Sequence, residues 1–354
     1  MKAARRPERG SILIVTLWIM AILAVLAIGI GFRVSLEMRL SGYNLSRLQA
    51  RYSAKAGIVK ARAYLSGDNN DHDSLYECGI ALPPGQTPES IFAEEDNKLG
   101  GGSFSVSYDL MIPEGDEDIS GRVFRYGIID EERKINLNFK KFPLQNKNEF
   151  KKIIESLSDS ITPEIAAAIL DWQDPGSSAE PNGAESFYYE SLNRPYKAKN
   201  SDFEIIQELL LIKDITPQIY REMKDYVTVY SDGKININTA PERVLNAVID
   251  AQRGAFKELA GVIVEVRKGV DEIDGTKDDI VFLQMSHITS IPRISSNPLW
   301  KARLEELSGY FVFKSANFRI KSKGVVRKVE RTIECVVRKE SEKGEKELLY
   351  YHED

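Results

Sequence analysis

The hydrophobic positions near the N-terminus follow two successive patterns. Residues 11–32 carry no charge, and a helix of that length rises about 33 Å, enough to cross the hydrocarbon core of a bilayer. From residue 33 to about residue 65, apolar side chains recur at three- and four-residue steps among basic ones, which predicts an amphipathic continuation of the helix. Since no proline interrupts residues 11–65, we predict a single helix about 80 Å long.

Strand patterns flank a helical block in the rest of the chain. Segments 102–110 and 121–130 alternate apolar and polar residues and predict two strands, joined by an acidic turn at 113–116. Segments 309–324 and 325–339 predict a second pair, with Gly324 near its turn. Periodicity from 146 to 268 is helical, and the polar residues 66–102 predict a surface loop with at most one short helix.

Strands at both ends of a helical block predict an α+β fold, in which one antiparallel sheet carries a helical insertion. The alternative is a separate helical domain between two β domains. Each β segment alone is too small to be independently stable, which favours the single sheet. The tail from residue 341 onward is highly charged, and we expect it to be frayed.

Composition removes several classes of function. The 354 residues carry a net charge of −5, whereas a general nucleic-acid binder needs a basic face. Only three histidines are present and no nucleophile or phosphate-loop motif is found, so we expect no enzymatic activity. The two cysteines, Cys78 and Cys335, do not make a zinc site, and the sequence leaves open whether they pair.

The residues before the apolar segment carry a net charge of +3 over positions 1–10. Positive flanks stay in the cytoplasm, so we expect the bulk of the protein on the other side of the membrane. Three interpretations of residues 1–32 compete. A secretory signal peptide has a shorter apolar region, and an ordinary signal anchor needs no cleavage. The third is a prepilin-type leader, because the junction of Gly10 and Ser11, directly before the helix, resembles the site cut in that family.

One position bears on the third interpretation. Fibre-forming pilins carry Glu as the fifth residue after the cut, and this chain has Val15 there. A carboxylate in hydrocarbon is costly unless it is paired, and in a pilus it pairs with the amine of the neighbouring subunit above. A subunit with nothing above it lacks that partner. Val15 therefore suggests a subunit at the tip of a fibre. The alternative is a simple membrane anchor, which has no need of Glu at this position.

Two short segments resemble each other, DEERKINLN at 130–138 and SDGKININTAPERVLNAVI at 231–249. In the second, Asn238 or Thr239 is expected to cap a helix with Pro241 in its first turn. NTAPERVL also resembles the helix–hairpin–helix element of DNA-binding proteins, so a membrane-anchored DNA-binding or DNA-uptake protein is the alternative function. The acidic residues around the element do not favour phosphate binding.

The segment 170–216 contains DWQD, NGAESFYY and PYKAKN. Together with the Gly10–Ser11 junction, the missing Glu and the INLN and ININTAP segments, it resembles the large minor pseudopilin K of type II secretion systems. The resemblance implies a pilin-like fold with a large helical insertion that binds calcium. It also implies cleavage by a prepilin peptidase and N-methylation of Ser11.

The same resemblance implies a place in an assembly. The expected partners are the I- and J-type minor pseudopilins in a tip complex, the major pseudopilin and the inner-membrane assembly platform. We expect no nucleic-acid partner. The protein is expected in the inner membrane as a single-pass protein, with its bulk in the periplasm, where it initiates the pseudopilus and supports the export of folded proteins.

The expected boundaries follow from the patterns and the resemblance together. They are a leader at 1–10, a transmembrane helix at 11–32, its amphipathic continuation at 33–65, a pilin-like domain at 66–138 and 286–340, a helical insertion at 139–285, and a charged tail at 341–354.

Two oxygen-rich loops are candidates for calcium, which prefers six to eight oxygen ligands. The first lies within residues 171–185, and helix capping with an exposed acidic loop is its alternative. The second surrounds Gly275, and a polar hairpin turn is its alternative. The candidate ligands are, in the first loop, Asp171, Asp174, Glu180, Asn182 and Glu185, and, in the second, Asp271, Asp274, Asp278 and Asp279.

Overall fold

A computed structural model describes residues 9–111, 122–143, 146–251, 254–339 and 347–354. The predicted leader residues 1–8 and the predicted turn at 113–116 lie outside these ranges. The helices are α1 (Arg9–Gly67), α2 (Pro88–Phe92), α3 (Lys147–Glu155), α4 (Pro163–Gln173), α5 (Ser186–Glu190), α6 (Pro217–Met223), α7 (Glu242–Ile249), α8 (Leu259–Arg267), α9 (Met285–Thr289), α10 (Pro292–Ser295) and α11 (Pro298–Glu306). The strands are β1 (Lys98–Leu99), β2 (Gly102–Met111), β3 (Arg122–Tyr126), β4 (Ile129–Asp130), β5 (Ile135–Asn136), β6 (Val227–Thr228), β7 (Ile235–Asn236), β8 (Phe311–Val312), β9 (Asn317–Val326), β10 (Val329–Arg338) and β11 (Leu348–Glu353).

The long N-terminal helix is confirmed, since α1 is one continuous helix of 59 residues. Its C-terminal part packs against the main sheet through Ala50, Ala54, Ile58, Ala61 and Leu65, all of which are buried. Three of these side chains are alanines, so the backbones of helix and strand approach closely. Its N-terminal part, beginning in the predicted membrane segment, is exposed.

The main sheet is antiparallel and joins the two predicted strand pairs. Its order is β1-β2-β9-β10-β11, with β3 paired to β2 and β4 paired to β9. Strands from before and after the helical block thus share one sheet, which confirms the α+β fold with an insertion. A second hydrophobic core contains residues from most of the inserted helices and reaches the main sheet at Val336 of β10.

The predicted position of the hairpin turn was wrong by three residues. The two residues that join β9 to β10, Arg327 and Lys328, form what we call the β9–β10 turn, and Arg327 has a positive φ of 57°. Gly324 lies inside β9 instead. A Cβ at this position would stand 2.0 Å from the carbonyl oxygen of Ala50, so the glycine is required by the close approach of α1.

Two regions are more ordered than the sequence suggested. The predicted frayed tail at 341–354 is wrong for its last residues, because β11 pairs with β10. The predicted surface loop at 66–102 carries α2 and β1 and also contributes buried side chains, among them Asp73, Cys78 and Phe92. The apolar residues of these stretches form runs too short to show a period.

The insertion extends beyond the predicted end at residue 285, because α9, α10 and α11 continue it to Glu306. Its helices are short, and several begin with proline in the first turn. The predicted capping of α7 is also wrong. Pro241 is the N-cap residue and makes no side-chain cap, because the side chains of Asn238 and Thr239 bind other partners, described below.

Both ends of the insertion leave the sheet at the end remote from the membrane segment. Strand β4, which precedes it, pairs with the start of β9 at Phe318 and Arg319. Phe318 lies beside Leu65 near the C-terminal end of α1, where both would meet a Cβ on Gly79. The insertion therefore emerges at the far end of the helix–sheet unit.

Candidate functional site

The N-terminal part of α1 is the first candidate site. It is the one helix within the described residues that is long and apolar enough to cross a membrane, with a mean hydropathy of 2.9 over its most apolar window. Gly10 and Ser11 lie in its first turns. Val15 is 56% exposed, so its side chain is available to a lipid or to a neighbouring helix.

A buried charged cluster joins the insertion to the sheet, and sequence reasoning missed it. The carboxylate of Asp130 accepts hydrogen bonds from Thr239 Oγ1 at 2.9 Å and Ser315 Oγ at 2.7 Å. Glu131 accepts one from Arg319 Nε at 2.5 Å and one from Thr228 Oγ1. Since Thr228 and Thr239 belong to the insertion and Arg319 to β9, these side chains fasten the two parts together.

The cluster contains carboxyl groups with opposite pKa shifts. Burial would raise the pKa of Glu131, but the charge of Arg319 and its hydrogen bond hold this pKa at about 2. Burial, reinforced by the charge of Asp130, raises the pKa of Glu132 to about 8. Burial likewise raises the pKa of Asp73 to about 7, although this carboxylate accepts backbone hydrogen bonds. Acidic residues in a charged stretch such as DEERK are usually solvated, which is why the sequence alone did not predict a buried site.

The two similar segments are built alike, which explains their resemblance. In each, the second asparagine closes a pair of hydrogen bonds with the backbone of a phenylalanine. Asn138 binds N–H and C=O of Phe203 at 2.7 and 3.1 Å. Asn238 binds N–H and C=O of Phe282 at 2.9 Å each.

The first asparagine of each segment also has the same role. Asn136 and Asn236 each accept a hydrogen bond from the asparagine two residues on, and each donates to a serine, Ser231 or Ser315. The strands of the segments, β5 and β7, each pair in parallel with a later strand. The insertion therefore contains two units with the same backbone clamp.

These clamps decide between the two interpretations of NTAPERVL. Asn238 and Thr239 are 2% and 0% exposed, and Thr239 donates to Asp130. A DNA phosphate cannot reach these groups without opening the core. The burial favours the structural use of the segment.

The first candidate loop, residues 171–185, brings together only part of its candidate ligands. The carboxylate of Asp171 accepts backbone hydrogen bonds from Glu180 at 3.0 Å and from Ala184 at 2.8 Å. Gly183 permits this wrapping, because a Cβ there would stand 1.9 Å from Asp171 Oδ2. Asn182 has a positive φ of 65° at the same bend.

The remaining acidic residues of this loop differ in their partners. Lys147 binds both Asp174, at 2.9 Å, and Glu180, at 3.1 Å. Glu185 is 6% exposed, and neither of its carboxylate oxygens has a hydrogen-bond partner. Burial raises the pKa of Glu185, and the neighbouring charge of Asp171 raises it further. A buried carboxylate without a partner, beside a second carboxylate, suits an oxygen-binding cation.

The second loop is engaged in its own hydrogen bonds. Asp274 forms a bidentate ion pair with the buried Arg267, at 3.0 and 2.7 Å. Asp271 accepts a hydrogen bond from a backbone N–H of the loop. The carboxylates of Asp278 and Asp279 each accept two or more hydrogen bonds from the loop. The hydrogen bond from the Thr276 hydroxyl, together with those from backbone N–H groups, lowers the pKa of Asp278 to about 2. Burial raises the pKa of Asp279 to about 6. This set does not present free carboxylates to a cation.

No group of three acidic, histidine or cysteine side chains arranged to hold a metal occurs among the residues that the structure describes.

Cys78 and Cys335 are both buried as free thiols, which answers the pairing question that the sequence left open. Burial raises the pKa of both thiols.

Comparison with known proteins identifies relatives of this chain. Residues 135–232 match the family described as Type II secretion system (T2SS), protein K. Type II secretion system protein K of Pseudomonas aeruginosa is 26% identical over 302 residues, covering 83% of this chain and 80% of that protein. The Klebsiella pneumoniae protein of the same name is 23% identical over 339 residues, covering 94% and 96%.

A solved structure shares the fold. A chain from the crystal structure of the GspK-GspI-GspJ complex of enterotoxigenic Escherichia coli aligns with a TM-score of 0.61 at 17% identity. The alignment covers 89% of this chain and 99% of that chain. The resemblance predicted from the sequence is confirmed by these comparisons, and so is the fold that it implied.

Proposed function

Since this chain resembles type II secretion system protein K over most of its length, we propose that it is a non-enzymatic minor pseudopilin at the tip of the type II secretion pseudopilus. In this role it initiates assembly and supports the export of folded proteins across the outer membrane. It is anchored in the inner membrane by α1, with its bulk in the periplasm.

The position of the insertion is the observation that supports the tip assignment. Both of its connections lie at the end of the helix–sheet unit remote from the membrane segment. Subunits of a helical fibre stack along their N-terminal helices, so a further subunit would have to occupy the space above that end. The insertion fills this space, and the protein can therefore have subunits below it but not above.

Processing at the N-terminus follows from the same role. We propose that a prepilin peptidase cuts between Gly10 and Ser11 and that Ser11 is then N-methylated. Val15 supports the assignment, because a tip subunit has no neighbour above to neutralise a carboxylate at this position. An apolar side chain avoids the cost of an unpaired charge in hydrocarbon, which amounts to a few kcal/mol.

The proposed partners are those that the fold relative suggests. The related Escherichia coli chain was solved in a complex of GspK, GspI and GspJ. By analogy, the I- and J-type minor pseudopilins bind this chain to form the tip complex, which then joins the major pseudopilin and the inner-membrane assembly platform.

Co-purification and localisation test the proposal. The full-length chain should co-purify with the I- and J-type minor pseudopilins at equal stoichiometry. Gold particles directed to an epitope tag at the C-terminus should mark one end of isolated pseudopili. Particles distributed along the shaft would contradict the tip role, and an intact Met1 in the mature chain would contradict the leader cleavage.

We also propose that calcium binds in the first loop, with Glu185 and Asp171 as its carboxylate ligands. The unpartnered, buried carboxylate of Glu185 supports this choice. When bound, the ion supplies positive charge to these two groups and holds the ends of the loop together. All four candidate ligands of the second loop have hydrogen-bond partners, so the proposal does not extend there.

Calorimetry and thermal unfolding with the full-length chain in detergent test the calcium site. Calcium at 100 times its dissociation constant would stabilise the chain by about 2.7 kcal/mol. Glu185→Gln should abolish this gain, whereas the matched variant Glu190→Gln, at a half-exposed position five residues on, should retain it. An equal gain in both variants would place the ion elsewhere, and no gain in the unaltered chain would remove the proposal.

A further inference from the structure

Strand β9 runs antiparallel to α1 and therefore toward the membrane segment. A Cβ on Gly57 would meet Ser322, whereas two residues further along β9 a Cβ on Gly324 would meet Ala50 and Ala54. Progress along β9 thus means progress toward the N-terminus of α1. The β9–β10 turn lies at the end of the sheet that faces residues 11–32. The neighbouring β1–β2 turn at the same end consists of uncharged glycines.

The height of the β9–β10 turn above the bilayer follows from the rise per residue of a strand and that of a helix. Arg327 lies three strand residues beyond Gly324, a distance of about 10 Å. That distance equals about seven residues of helix and places the turn beside Tyr43. The first charged residue after the apolar segment is Arg33, about 15 Å further along the axis. The headgroup layer occupies about 5–7 Å of this gap, and the long basic side chains of the turn cover much of the remainder.

A groove connects the turn to the membrane boundary. One face of α1, from Gly31 to Ser46, forms one wall, and the β9–β10 turn with Val329 forms the other. Apolar side chains of α1, including Val34 and Met38, line the end nearer to the membrane. The groove therefore passes from apolar to cationic with increasing distance from the bilayer. A lipid passes in the same direction from apolar acyl chains to an anionic phosphate, so the charges are complementary.

The groove carries three basic side chains. Arg39, Arg327 and Lys328 are exposed, and no ion pair of theirs occurs within the described part of the chain. The acidic residues nearest to them in the sequence, Glu37 and Glu330, each form an ion pair with another basic residue, at 3.0 and 2.7 Å. Arg327 also lines a neighbouring cavity with Glu94, Glu95 and Asp96, so Arg39 and Lys328 are the positive charges of the groove that remain for an anion.

We propose that this groove binds the headgroups of anionic phospholipids in the outer leaflet of the membrane that α1 crosses. The inference rests on the proposed membrane anchoring of α1. Lipid is favoured over a protein partner, because the bilayer lies beside the groove whenever the chain is anchored. The gap between the turn and the headgroups, once the side chains extend, is within the screening length of about 8 Å at physiological ionic strength.

The contact holds the sheet down on the membrane before assembly. Extraction of the subunit into a pseudopilus then breaks the lipid contacts, while the insertion at the opposite end stays free for its partners. Each basic residue near an anionic surface contributes roughly 1 kcal/mol to membrane binding, which corresponds to an affinity about fivefold higher. Arg39 and Lys328 together account for about 25-fold.

Lysine labelling of the full-length chain in vesicles tests the proposal. Lys328 and Lys301 are both exposed, on the turn and on the insertion respectively, so each molecule contains its own reference. In vesicles of phosphatidylcholine with 30% phosphatidylglycerol, an amine-reactive reagent should modify Lys328 several-fold more slowly than in pure phosphatidylcholine. Lys301 should react equally in both. One molar sodium chloride should remove the difference.

Matched variants sharpen the test. Arg327→Gln should reduce the protection of Lys328, whereas Lys257→Gln, the same charge change on the insertion, should leave it intact. Equal labelling of Lys328 in both kinds of vesicle would overturn the proposal. Protection that appears only after the I- and J-type subunits are added would overturn it too, in favour of a protein contact. Either result would leave the tip-complex assignment to be judged by co-purification.

Discussion

Replacing Gly324 by alanine should loosen the contact between α1 and the sheet. Alanine is normally favoured over glycine inside a strand by roughly 0.5–1 kcal/mol, so propensity alone predicts a stabilised protein. The structure predicts the opposite, because the added Cβ would stand 2.0 Å from the carbonyl oxygen of Ala50 and 2.5 Å from the amide nitrogen of Ala54. Both neighbours are backbone atoms, which no side-chain rotation can move aside.

The magnitude follows from the required displacement. Real Cβ atoms do not approach heavy atoms closer than about 3.0 Å, so α1 and β9 must separate by about 1 Å along this contact. Overpacking of a well-packed core typically costs 1–3 kcal/mol. For a chain of this size, each kcal/mol lowers the melting temperature by about 2–4 °C. We therefore expect Gly324→Ala to lower it by several degrees.

Thermal unfolding of the full-length chain in detergent, followed by circular dichroism, measures this effect. Gly42→Ala is the control, because this helical glycine has no atom within 4 Å of its Cβ position. Alanine there should stabilise the helix, by up to about 1 kcal/mol. If Gly324→Ala melted at or above the temperature of the unaltered chain, the close approach of α1 to β9 would be refuted.

Three further predictions concern the buried groups between the sheet and the insertion. Arg319→Met should destabilise the chain by about 3–5 kcal/mol in chemical denaturation, because it leaves the carboxylate of Glu131 buried without its partner; a loss below 1 kcal/mol would contradict the ion pair. The pKa of Asp73 is raised to about 7 and that of Glu132 to about 8, so both groups bind protons more tightly in the folded state than in the unfolded one. Their contribution to stability should therefore be lost as pH rises from about 4 to about 8, and Glu132→Gln should show a flatter dependence of the melting temperature on pH; an unchanged slope would refute the shift. Asn238→Ala should lower the free energy of unfolding by about 1–3 kcal/mol per unsatisfied backbone group, measured by urea titration, and a neutral effect would argue against the clamp.

Periodicity and topology rules recovered the architecture because these features repeat over many residues. The apolar segment and its amphipathic continuation predicted α1 to within two residues of its C-terminal end. Strands on both sides of a helical block predicted one sheet with an insertion. Such patterns reflect burial of whole faces, and each contains enough residues to show a period.

Features that depend on one contact were missed or misplaced. Gly324 was assigned to a turn because glycine is common there, whereas its role comes from a helix that lies far away in the sequence. Asn238 was assigned to a helix cap because of its neighbours, whereas its partner is Phe282. Strand β11 follows a charged stretch and was expected to be frayed. Long-range pairing supplied the partner in each case, and no local pattern carries that information.

In the proposed tip role, the buried cluster and the position of the insertion determine how a push along α1 would reach the insertion. The insertion is attached to the sheet by two chain crossings, at β4 and before β9, and side chains from both parts meet there. Because Glu131 binds Arg319 of β9 and Thr228 of the insertion at once, one carboxylate resists separation of the two. A push delivered along α1 would therefore reach the insertion through a charged contact that costs several kcal/mol to break, rather than through a flexible linker. A tip subunit that leads a growing fibre requires such a rigid connection, since any hinge at this point would absorb the movement instead of passing it on.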